Sequence, residues 1–233
     1  MDNSVIFAVS NRSLGNMSLN HGDTEKSLDN RKQFLGVLGI EYQDLVCAKQ
    51  IHGSVIRYVN ENDKGKGAFI YDEAIRGADA LITDKKNIPL AVFTADCLSV
   101  FMYEPASQVI GIVHAGWRGT KDNICPKAVK LIHDKFGVTP SDLLINFGPC
   151  IRSCCYEVSS EFKDFFPDST SQRDGKYYFD LAAANKAQLI KAGVKEKVIS
   201  DERVCTSCQN TAYFSFRKEK DKSGRMMAVA MLK

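Results

Sequence analysis

Of the 233 residues, 44% are hydrophobic and 25% charged, the balance of a chain that buries a core, which excludes a disordered or fibrous protein. The 31 basic and 28 acidic side chains are interspersed, and the formal net charge of +3 gathers into no basic stripe, so nucleic acid is not an expected partner. The opening MDNSVIFAVSNRS places Asp2 and a short apolar run where a secretory leader has a basic start and a long one, and no run approaches the ~20 apolar residues of a membrane span. A cytoplasmic protein with no membrane partner is therefore expected. Without a linker or an internal repeat, the chain reads as a single domain over residues 1–233. Its eight cysteines are then expected to be reduced, with their interest in metal binding or catalysis.

In chain order, short apolar and β-branched runs predict strands over residues 5–9, 45–48, 55–59, 90–94, 100–103 and 109–113. Helices are predicted over 25–38, 122–136, 160–166 and 181–192, with Gly137 and Gly193 standing where the second and the last would end. The tract from Arg217 to Lys222 mixes its basic residues with Glu219 and Asp221 and reads as a solvated turn. The final run, 227–232, is apolar to its end and is expected to close a sheet, because an exposed strand of that kind invites aggregation. The class is mixed α and β.

With only four histidines, each can be weighed. His21 in a polar turn and His133 on a helix read as structural. His52, in KQIHGS between two predicted strands, and His114, at the end of VIGIVHA, occupy strand-end positions, and so does Cys97 in FTADC. Two imidazoles and a thiolate suit Zn²⁺ with one coordination position left open, the arrangement of a catalytic site. The three are far apart in sequence, however, and no short ligand spacing joins them, so spacing alone does not separate a metal site from three structural residues.

Six segments carry more information together. KQIHG (49–53), RGADALIT (76–83), TADC (94–97), HAGWRGT (114–120), GPCIRSCCYEV (148–158) and CTSC followed by FSFR and GR (205–225) make the chain similar to the laccase-domain, or multicopper polyphenol oxidase-type, family. That family includes proteins named purine nucleoside phosphorylases and peptidoglycan editing factors. The resemblance covers nearly the whole chain and implies an α+β fold, a single compact domain built as an αββα-type layered sandwich with mixed sheets. It also implies a metal site at the His of Q-x-H-G, the Cys of A-D-C and the His of H-A-G-W-R-G, which fall on His52, Cys97 and His114. Two departures stand out: the segment from Ser10 to Asp23 keeps Arg12 and Gly15 but is short, and Cys150, Cys154 and Cys155 crowd one region with thiols. A rival metal cage, Cys205 and Cys208 with two of those three, is disfavoured here because adjacent cysteines are poorly suited to point both sulfurs at one ion. Buried reduced thiols are the preferred reading.

Zinc, or copper as the other ion, would assist attack at a carbon bearing a nitrogen leaving group, by phosphate or by water. Arg118 in its glycine-rich turn is the expected anion contact and Arg217 a second one. Trp117 offers a face for a purine or anchors packing, and Gln50 and Tyr156 are weaker substrate contacts. Asp96 is expected to accept a proton or to orient a ligating imidazole, with a strand-end cap as the alternative. Three functions stay open at this point. The first is a purine nucleoside phosphorylase using adenosine, inosine or methylthioadenosine and phosphate, with adenosine deaminase as a side activity. The second is an amide hydrolase of a cell-wall precursor with Cys97 as nucleophile and His114 as its base. The third is a metal-dependent scaffold, as monomer or homodimer. A polyphenol oxidase is hardest to build, because four histidines do not supply a multicopper cluster.

Overall fold

The computed structural model describes residues 4–233; residues 1–3, Asp2 among them, lie outside it. The chain runs through β1 (Val5–Val9), α1 (Thr24–Val37), β2 (Val46–Lys49), β3 (Ile56–Tyr58), β4 (Ile75–Arg76), β5 (Ala80–Thr83), β6 (Leu90–Thr94), β7 (Leu98–Glu104) and β8 (Val109–Ala115). It continues with α2 (Trp117–Lys121), α3 (Ile124–Phe136), β9 (Leu144–Phe147), β10 (Glu157–Val158), α4 (Phe162–Phe165), β11 (Thr170–Arg173), β12 (Lys176–Phe179) and α5 (Leu181–Lys191). It ends with β13 (Ile199–Asp201), α6 (Phe216–Glu219) and β14 (Met226–Leu232).

Two mixed sheets lie face to face: a five-stranded one ordered β1-β14-β6-β2-β4 and a six-stranded one ordered β13-β9-β7-β8-β5-β3. A small antiparallel sheet, β10-β12-β11, stands apart from them. The alternation of side chains along each strand explains the layering. On β14, Ala228, Ala230 and Leu232 face the other sheet, while Met227, Val229 and Met231 face the outer layer with Phe34 and Leu35 of α1. On β8, Ile110 and Ile112 face the first sheet, and Val109 and Val113 pack with Ile124, Ala128 and Ile132 of α3. Three apolar layers thus separate helix, sheet, sheet and helix, the αββα arrangement expected. Strands buried on both faces need apolar residues throughout, which is why these runs were readable as strands.

Differences from the expected elements have local causes. The helix predicted over 122–136 is α3, which starts two residues later because Asn123 takes a left-handed conformation (φ 58°) at its cap, and the separate short helix α2 before it was not predicted; asparagine tolerates that region better than most residues. Gly137 ends α3 in the same conformation, donating its N–H to the His133 carbonyl, as predicted. Strands β4, β5, β9 and β13 and the small sheet were not predicted: β4 has two residues, β5 has four beside Asp79, and β11 is polar and largely exposed.

The register sets up the site. β2 and β6 are parallel neighbours, so the loops that follow them, carrying His52 and Cys97, leave the five-stranded sheet at one edge. In the six-stranded sheet, Ser99 faces His114 and Ala80 faces Val113, which puts Cys97, His114 and Asp79 at the same end. Leu81 fills the space between the sheets and is fully buried. Leu81→Ala should lower unfolding free energy by about 2–5 kcal/mol, whereas Leu144→Ala, at a position 43% exposed, should change it by less than about 0.5 kcal/mol; urea denaturation of both variants measures the contrast.

Candidate active site and metal centre

His52, Cys97 and His114 converge, with their donor atoms all within 4.8 Å of one another. His114 is buried, Cys97 half-buried and His52 exposed at the cavity side, and the two imidazoles meet edge to face at 4.8 Å between centroids. His52 stands at φ 59°, a left-handed conformation in the loop between β2 and β3. What fixes that loop is Asp79, a fully buried carboxylate that accepts the backbone N–H groups of Ile51 (3.2 Å), His52 (3.0 Å) and Gly53 (2.8 Å). The same carboxylate lies 2.8 Å from Nδ1 of His114. Nδ1–H donated to Asp79 leaves Nε2 of His114 as the free donor atom, the usual way a protein orients a metal-ligating imidazole.

Two glycines permit this approach. A Cβ on Gly116 would stand 3.1 Å from the Cys97 sulfur and 3.4 Å from the His52 ring, and a Cβ on Gly119 would stand 2.7 Å from the Gly53 carbonyl oxygen. The HAGWRG turn can therefore press against the QIHG loop only with glycine at both places.

Electrostatics in the group run toward ionisation. Burial disfavours a thiolate at Cys97, but His114 and then His52 outweigh it, and its pKa falls to about 6. Burial disfavours the cation at His114, but Cys97 and Asp79 outweigh that, and its pKa rises to about 9. A thiolate, an imidazole that is held by a carboxylate and ligates once its Nε2 proton is released, and a second imidazole form a donor set that fits a zinc ion with three protein ligands, as opposed to the four of a closed structural site.

The triad lies in a cavity of about 560 Å³, the size of a small-molecule site. Its lining is cationic: Arg118, Arg217, Arg225 and Lys220 reach it, against Asp96 as the acidic residue. Arg118 stacks on Trp117 at 4.6 Å and makes no hydrogen bond or ion pair among the described residues. Arg217 donates one N–H to the Glu157 carbonyl and lies 5.3 Å from the Tyr156 ring. Burial pushes the Tyr156 hydroxyl up, with the charge of Cys97 adding to it and that of Arg217 opposing. Trp117 leans on Phe162 at 5.2 Å, and the Gln50 amide is bonded at both ends to the backbone of Phe93, so each forms wall and carries its polar or aromatic surface partly spent.

Asp96 is buried and meets neither histidine by hydrogen bond. It accepts the Thr206 hydroxyl and the Arg217 backbone N–H, each at 2.6 Å, and the imidazole-orienting carboxylate is Asp79 instead. Sequence reasoning passed over Asp79 although it lies in RGADALIT; the available signal was a single acidic residue opening a run that is otherwise apolar. His21, read as structural, lines the cavity through the short amino-terminal loop, with Nε2 3.4 Å from Arg225. Arg225 and Phe216, also missed individually, complete that rim, Phe216 being 43% exposed.

Layered mixed sheets with an N, S, N donor triad at their edge, opening to a cationic cavity, define the class. The chain belongs to the family described as multi-copper polyphenol oxidoreductase laccase, which matches residues 8–233. A protein named purine nucleoside phosphorylase YlmD, from Geobacillus stearothermophilus, is 35% identical over 223 residues, spanning 91% of this chain and 81% of that one. A protein named adenosine deaminase RL5, from an unknown prokaryotic organism, is 32% identical over 212 residues, spanning 87% and 80%. The crystal structure of the Bacillus licheniformis hypothetical protein YfiH superposes with a TM-score of 0.95 at 32% identity, covering 99% of this chain and 94% of that one.

The pair of shifts at the triad has a measurable consequence. In protein freed of metal by chelation, alkylation of Cys97 by iodoacetamide should rise with pH about a midpoint near 6, well below the 8.5 or so of an ordinary thiol. Asp79→Asn removes support for the His114 cation, so the midpoint should move upward in that variant. Peptide mapping of the labelled protein reads both.

Proposed function

We propose that the protein is a zinc-dependent purine nucleoside phosphorylase acting on adenosine and inosine, and on methylthioadenosine, with adenosine deamination as a second activity of the same site. The observation that carries this reading is the meeting, in one cavity, of the donor triad with unpaired cationic side chains, above all Arg118. The names of the relatives, purine nucleoside phosphorylase and adenosine deaminase, support it. His52, Cys97 and His114 would hold the ion, which when bound polarises an oxygen or lowers the pKa of a water toward ~7.

The remaining work falls to the chain. Arg118, with Arg217 and Arg225 lining the same cavity, binds phosphate and presents an oxygen to C1′ of the ribose. The C1′–N bond of the base breaks as the C1′–O bond forms, and the departing purine takes up the proton that phosphate gives up. Asp96, at the cavity wall, is the group assigned to relay it. The exposed ring of Phe216 is the better-placed stacking face for the base, with Trp117 and Gln50 shaping the wall.

One observation favours a second reading. A thiolate at Cys97 beside a cationic His114 is also the pairing of a cysteine nucleophile and its base, as an amide hydrolase acting on a cell-wall precursor requires. A copper oxidase has less to stand on, because the triad offers two imidazoles and one thiolate, fewer donors than several coppers need.

Product analysis decides among these. Base release from adenosine should increase with phosphate and yield ribose 1-phosphate, and Arg118→Ala should raise the phosphate KM about tenfold or more, corresponding to ~1.4 kcal/mol, while moving the nucleoside KM less. Equal base release with no phosphate present would replace the phosphorylase with a hydrolase.

A further inference from the structure

We propose that Cys154, Cys155, Cys205 and Cys208 form a second metal site, a tetrathiolate cage for one structural zinc ion, distinct from the triad at His52, Cys97 and His114. The four sulfurs all lie within 4.8 Å of one another. Sγ of Cys208 is 3.5 Å from that of Cys154 and 3.3 Å from that of Cys155. Four sulfurs at the Zn–S distance of about 2.3 Å on a tetrahedron have edges of roughly 3.8 Å, so the observed spacings bracket those of a loaded cage.

The expectation that adjacent cysteines point apart is corrected by the backbone. The N–H groups of Cys155 and Tyr156 both donate to the Arg152 carbonyl, and this tight turn brings both sulfurs round to the C-x2-C turn at Cys205 and Cys208. Cys150, by contrast, stays out of the group: it is fully buried, and its backbone bridges that of Cys205.

Exposure sets three of these four thiols apart from the buried ones, Cys205 being the buried member of the group. Cys47, Cys125 and Cys150 are individually buried, as inert structural cysteines are. Cys154 and Cys208 are exposed and Cys155 is half-buried, so no burial accounts for their gathering, and four ionisable sulfurs in mutual contact call for a cation. A disulfide would join Cys208 to only one of its two near neighbours and leave the other two thiols unexplained.

The site has a purpose in the fold. It ties the loop of residues 148–158 to that of 205–217, and those loops build one wall of the cavity. Thr206, beside one ligand, donates to Asp96; Tyr156, beside another, lines the cavity; and Arg217 bonds across the two loops to Glu157. The cage is a staple behind the wall, acting through position alone.

Elemental analysis tests this without reference to activity. Protein purified from zinc-supplied cells should hold two zinc ions per chain, and the triple variant His52→Ala, Cys97→Ser, His114→Ala should keep one. Replacing zinc by cobalt in that variant should give the strong sulfur-to-cobalt charge-transfer absorption of a tetrathiolate, lost in a further Cys154→Ser, Cys208→Ser change. On the unaltered protein, a mercurial reagent should release one zinc as four thiols react, and a separate sample, unfolded with chelator and no mercurial, should show all eight cysteines as free thiols. A triple variant with no metal and no cobalt absorption overturns the proposal, as does an unfolded mass short of two hydrogens with a Cys208 disulfide in its peptides.

Discussion

The candidate site depends on one buried carboxylate. Asp79 accepts three consecutive backbone N–H groups, from Ile51 to Gly53, and engages His114 as well, so a single side chain fixes both the loop that carries one imidazole and the ring of the other. Deleting it would leave three part-buried N–H groups without their acceptor and would free His114 to rotate. The left-handed backbone at His52 is held against its own preference by these bonds. The thiolate at Cys97 follows in turn, because it is the cation at His114, sustained by Asp79, that keeps the sulfur ionised against burial.

The layered fold explains why such a carboxylate can be buried at all. Asp79 sits where β5 begins, between two sheets whose facing surfaces are apolar, and its partners arrive as the ends of β2 and β8 at the same edge. Helices α1 and α3 lie outside the sheets, so the edge is left to loops and to the short helices α2 and α6, which carry Arg118 and Arg217 to the cavity. Rigidity there has to come from polar bonds. The wall beside Cys97 shows this, with Asp96 joined to Thr206, Ile151 and Arg217 from three stretches of chain.

Legibility in the sequence followed the range over which each feature is encoded. The doubly buried strands β6, β7, β8 and β14 announced themselves as apolar runs, and the layered sandwich followed from the resemblance of the motifs. His52, Cys97 and His114 were selected for the same reason, each standing inside a recognisable segment. Asp79 was not, because nothing local in RGADALIT tells that four donors from a distant loop and the end of a distant strand will meet its carboxylate. His21 and Arg225 come together across 204 positions, which a reading along the chain cannot see. Cys154 and Cys155 misled for a geometric reason: adjacency implies divergence in a strand but not in the tight turn that these residues form.

The account turns on whether turnover of a nucleoside needs an ion at His52, Cys97 and His114. The direct measurement is the rate of ribose 1-phosphate formation from adenosine and phosphate by chelated protein, its metal content verified by elemental analysis, before and after zinc is returned. We expect no turnover without metal, recovery with zinc, and no recovery when zinc is returned to a Cys97→Ser variant. Full activity in protein shown to carry no metal would contradict the account and pass the chemistry to Cys97 and His114 as nucleophile and base.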